Sequence, residues 1–70
     1  MLEPIKDYQQ HIICYADAAT GLLESKYKKQ TTRTWVPIGG VFSIVRDGTA
    51  TDITRISITA FKVHSYPAVA

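Results

Sequence analysis

Apolar residues recur along the first part of the chain with the spacing of a helix. Ile5, Tyr8, Ile12, Tyr15, Ala16 and Ala19 fall on one stripe about 100° wide. Pro4 suits a first turn, and Asp7 favours the positive end of a helix dipole. The pattern predicts an amphipathic helix over residues 4–19, stopped at Gly21. From Leu22 the period shortens to two. The runs LLESKYKK, TTRTWV, VFSIVR, TDITRIS and FKVHSY read as strands within residues 22–66. Turns are expected near Lys29-Gln30, at Asp47-Gly48 and around Thr59-Ala60. Pro67 should end the last strand and leave residues 67–70 as a short loose tail.

Hairpin-length connections exclude parallel neighbours, which need a long crossover. The expected fold class is therefore α+β: one N-terminal helix packed on a four- to five-stranded antiparallel sheet. It forms a single domain over residues 1–70. Alternation places Phe42, Ile44, Ile56, Phe61 and Val63 under the helix, with Leu23 and Tyr27. Val41, Val45, Ile53, Arg55, Lys62, His64 and Tyr66 then face the other way. The Pro37-Ile38-Gly39-Gly40 break hides the register of Trp35.

That second face changes the functional picture most. A lone helix covers one face of a sheet, and an open antiparallel face normally alternates cleanly between apolar and polar. Here the alternation is blurred by exposed aliphatics. Trp35, Val45, Ile53, Arg55, His64 and Tyr66 form the expected protein-binding patch, for a larger protein or a second copy of the chain.

Charge supplies the alternative. The net charge is only +2, but Lys26, Lys28, Lys29 and Arg33 are half of the eight basic residues. Tyr27 and Trp35 flank them. Cations interleaved with aromatics are the pattern that tracks a phosphate backbone and stacks bases, so nucleic acid is the alternative partner. Lysines also guard sheet edges against aggregation, which accounts for the same cluster without a ligand.

Other motifs add little. The two adjacent glycines lack the Lys-Ser/Thr and helix of a phosphate loop, so they read as a turn. Asp7, His11 and Cys14 share the back of the expected helix, but three residues there do not complete a structural zinc site. Nothing supplies an oxyanion site for a catalytic thiol. His64 has no neighbour in sequence that marks it as a base. No paired-carboxylate or Ser-His-Asp set is present, and no enzyme, metal or cofactor is expected.

The single cysteine excludes an internal disulfide. No segment reads as a signal peptide or a membrane span, so the chain is expected to be a complete, cytoplasmic protein with no membrane partner. The leading expectation is a small non-enzymatic binding module, a stand-alone regulator or inhibitor that docks on a larger protein.

Overall fold

The expected N-terminal helix does not form. In the computed structural model, which describes residues 1–68, the chain makes seven strands and, among those residues, no helix. The strands are β1 (Glu3–Lys6), β2 (Ile12–Asp17), β3 (Leu22–Tyr27), β4 (Gln30–Trp35), β5 (Val41–Arg46), β6 (Thr49–Ser57) and β7 (Ala60–Pro67). They form two antiparallel meanders, β1-β2-β3-β4 and β5-β6-β7. The fold class is therefore all-β rather than α+β. No helix among the described residues is long and apolar enough to cross a membrane.

The physical reason lies in residues 7–14. The Asp7 carboxylate accepts hydrogen bonds from the backbone N–H of Gln9 and of His11, both at 2.9 Å. Gln10 adopts a left-handed φ of 69°. Together they close a turn where a helix would continue. Beyond the turn, Ile12, Ile13 and Tyr15 favour a pleated, half-buried surface. The register steps from Ile5↔Cys14 to Lys6↔Ile12, so Ile13 is the extra residue of a bulge. That bulge buries Ile13 and Cys14 side by side and erases the period-two signal. Tyr8 and Ile12, expected in the core, are exposed.

The five expected strands between residues 22 and 66 all form, as β3 to β7. Asp47 and Gly48 take φ of 53° and 74°, the pair of left-handed residues that a tight hairpin needs. Pro67 closes β7, and the Ala68 N–H donates to the Gly48 carbonyl at 2.8 Å, so the expected loose tail is anchored at its start. The remainder of that tail lies outside the described residues.

The sheets stack face to face, and the shortest dimension of the molecule is 18 Å. Two sheets about 10 Å apart with outward side chains account for that thickness. The core joins Ile5, Ile13, Cys14, Leu23 and Val36 to Ile53, with Phe42, Ile44 and Phe61 packed against it. The inward positions of β6 read Thr49, Thr51, Ile53 and Arg55, all buried. Ile56 was expected inside but sits exposed at a second bulge, between Arg55 and Ser57.

Two arginines lace the sheets together at opposite ends. Arg55 is buried and donates to three carbonyls: Nε to Ala18 at 3.0 Å, Nη1 to Val36 at 3.1 Å and Nη2 to Ala19 at 3.0 Å. Gly21 makes this cluster feasible, because a Cβ there would strike the Val36 carbonyl oxygen. At the other end, Arg46 donates to the Ser25 hydroxyl at 3.1 Å and lies 4.4 Å over the Tyr27 ring.

Cys14 is not on an exposed back face; it is 1% exposed. Burial pushes its thiol from 9.0 up to about 11, and the Arg46 charge pulls weakly the other way. The unfolded chain therefore releases this proton at lower pH than the native chain. The native advantage is complete below the ordinary thiol range and is lost as pH rises toward 11. Urea unfolding at pH 8 and pH 11 should show a larger loss in the wild type than in Cys14→Ala, the difference being the thiol's share.

Candidate docking face on the second sheet

Antiparallel register decides which side chains share the outer face of the β5-β6-β7 sheet. Three rows cross it: Val41↔Thr54↔Lys62, Ser43↔Asp52↔His64 and Val45↔Ala50↔Tyr66. The first and third rows place Val41 and Val45, 62% and 69% exposed, at the two ends of the outermost strand. Ala50 sits buried in the centre of its row, so the face is low there and higher at its rims. Val41, Asp52, Thr54, Lys62 and His64 line a shallow depression of about 470 Å³.

The middle row is polar and internally paired. The Ser43 hydroxyl donates to Asp52 Oδ1 at 2.6 Å, and the Tyr66 hydroxyl donates to Oδ2 at 3.2 Å. The bond to Asp52, reinforced by its negative charge, pushes the Tyr66 phenol above its ordinary range. His64 packs against the Tyr66 ring with centroids 5.0 Å apart. Serine, aspartate and histidine thus stand side by side, but the hydroxyl is bonded to the carboxylate and not to the imidazole. A nucleophile needs the base next to it and the carboxylate behind the base. What the row offers is a carboxylate with both oxygens occupied, set in a face that is otherwise mostly uncharged.

The expected patch is therefore split. Val45, His64 and Tyr66 come together on this face. Ile53 and Arg55 are inside the sandwich, Ile53 at 0% exposure. Trp35 is in the other sheet, paired with Leu22 on its outer face and 63% exposed. Ser43 and Asp52 were missed. Their signal was the Asp47-Gly48 turn, which fixes the β5–β6 register and so sets Ser43 opposite Asp52.

The basic hairpin is a separate surface. Lys28 and Lys29 form the tip between β3 and β4, where Lys28 takes φ of 57°. Arg33 and Lys26 both turn to Glu24, at 3.0 and 3.7 Å. One carboxylate thereby engages two of the four side chains and offsets one of the four charges. Asp7 and His11 stay together, 3.7 Å apart, while Cys14 is buried away from them. Among the described residues no group of three or more His, Cys, Asp or Glu side chains is placed to hold a metal ion. No protein-family model, curated protein or solved structure matches the chain.

Proposed function

We propose that the protein is a small non-enzymatic binding module, a regulator or inhibitor that docks on a larger protein through the outer face of β5-β6-β7. The observation that carries this reading is the face itself. It is a three-strand surface rimmed by Val41, Val45 and Tyr66, and no described part of the chain covers it. Its one carboxylate already holds two hydrogen bonds, so a partner covering it leaves no acceptor stranded. Exposed aromatic and aliphatic side chains beside a few paired polar groups give the face the mixed composition of a protein interface. The engagement of Lys26 and Arg33 by Glu24, which offsets one of the cluster's four charges, weighs against the nucleic-acid alternative.

Affinity capture on the full chain from its native cell, with and without nuclease, tests the reading. A single recovered protein that survives nuclease is expected. Val45→Asp should abolish its recovery while shifting stability by no more than about 0.5 kcal/mol, as surface changes do. Lys28→Glu with Lys29→Glu should leave recovery in place and mainly slow association. Recovery that disappears with nuclease or with the lysine reversal would transfer the function to the hairpin.

A further inference from the structure

Four strands end the two sheets, β1 and β4 in one and β5 and β7 in the other. Three of these edges are guarded. β1 carries Pro4 and a bulge, β7 carries Lys62 and ends on Pro67, and β4 carries Arg33 beside a lysine tip. Charges, prolines and bulges are the usual protection of a free edge. β5, which reads Val41-Phe42-Ser43-Ile44-Val45-Arg46, has no proline, lysine or bulge. Its one charge turns inward to the Ser25 hydroxyl. Its residue types are those that favour a pleated surface. Among the described residues it pairs only with β6.

Register fixes which backbone groups of β5 are free. The Arg55 N–H donates to the Gly40 carbonyl at 3.0 Å. Arg46 pairs with Thr49 across the two-residue turn. Hydrogen-bonded pairs alternate along an antiparallel ladder, so Phe42, Ile44 and Arg46 bond to β6. The N–H and C=O groups of Val41, Ser43 and Val45 then point to the open edge. Beyond that edge the first sheet continues. Thr32 shares its face with Leu23 by register and so turns toward the sandwich interior, yet it is exposed. With four strands set against three, the second sheet is one strand short over β4.

We infer that the partner docked on the outer face also supplies an extended segment, which adds to β5 as the fourth strand of the second sheet. This rests on the docking reading for the source of the segment, and the edge explains how it is held. An antiparallel segment centred on Ser43 exchanges main-chain hydrogen bonds with Val41, Ser43 and Val45. Its alternate side chains meet Val41 and Val45 on the outer face, and the half-buried Phe42 and Ile44 within. The matching sequence is two apolar residues, a small polar one and two more apolar residues, which is the pattern of β5 itself. A second copy of the chain is a poor occupant. Pairing β5 with β5 would set two four-stranded sheets over two three-stranded ones, and the two β4 strands would compete for one place. A lone strand brings no such sheet.

A capped peptide of residues 40–46, Gly-Val-Phe-Ser-Ile-Val-Arg, is a probe that fits this edge. Added to the full chain at about 1 mM, enough to fill even a weak site, it should slow amide exchange at Val41, Ser43 and Val45 and leave β4 and β7 unchanged. Its analogue N-methylated at the serine lacks one donor and should bind about tenfold more weakly. In the chain, Ser43→Pro removes an N–H that β6 does not use, a change that edge strands accept, whereas Ser43→Ala keeps it. With both variants shown folded by thermal melts, Ser43→Pro should bind the peptide about tenfold more weakly than Ser43→Ala. If Ser43→Pro does not fold, the N-methylated peptide on the wild type decides. Partner capture lost with Val45→Asp but kept with folded Ser43→Pro would remove the added strand and leave the docking face. Capture kept with both would remove the docking face as well. The inference is also overturned by a peptide that fails to bind or protects another strand, by an N-methylated peptide that binds as well as its parent, or by a chain that dimerises through β5.

Discussion

Replacing Ile53 with aspartate should leave no folded protein. Ile53 is 0% exposed and is the second sheet's fully buried contribution to the shared core, beside the partly buried Phe42, Ile44 and Phe61. An aspartate there would bury an unpaired carboxylate, which costs far more than a small domain has to lose. The milder Ile53→Ala should cost about 2–5 kcal/mol, from lost burial and the cavity left behind. Ile12→Ala makes the opposing control. The helical pattern would make it severe, but Ile12 is 48% exposed on β2. Its cost should stay within about 0.5 kcal/mol. Urea unfolding followed by circular dichroism separates these outcomes, and an Ile12→Ala variant as damaged as Ile53→Ala would contradict the sandwich.

Arg55→Ala should be the second most damaging change. It removes the partner of three carbonyls at once and leaves the Val36 carbonyl buried without its donor. Bonds from a charged donor contribute more than neutral ones, and stranded buried acceptors add their desolvation cost, so about 3 kcal/mol or more is expected. Arg55→Lys should recover little, because a single ammonium cannot span the three acceptors that a planar fork reaches. Arg46→Ala should cost less, since Arg46 is half-exposed and its bond to the Ile13 carbonyl is long, at 3.5 Å. Equal losses at the two arginines would show that the Arg55 cluster does not hold the sheets together.

The sequence made β3 to β7 legible because turn chemistry and alternation agree there. Asp47-Gly48 supplied two left-handed residues, and the β-branched and aromatic content of VFSIVR and FKVHSY marks both as strands. That is also why Val45, His64 and Tyr66 could be placed on one open face. The N-terminal third was misread for a local reason. The bulge at Ile13 puts two neighbouring apolar residues inside, which breaks the period of two and leaves a spacing that also fits a helical stripe. Ile53 and Arg55 were misread for a different one. The inner side of β6 is largely polar, with Thr51 bonded to Ser65 and Arg55 to three carbonyls from elsewhere in the chain. The exposed Ile56, one residue past Arg55, suggested the opposite phase. No rule linking hydrophobicity to burial recovers a strand whose interior face carries an arginine held by loop carbonyls. Trp35 escaped placement because its register depends on β3, through Leu22, and not on the glycine turn that follows it.

The proposed contact surface is the outer face of β5-β6-β7. The most direct measurement is an amide chemical-shift map of the full chain, free and bound to the captured partner. Shifts concentrated on Val41, Val45, Asp52, His64 and Tyr66, with the β3–β4 hairpin unchanged, are the expected result. Shifts concentrated on Lys28 and Lys29, with the second sheet unchanged, would contradict it.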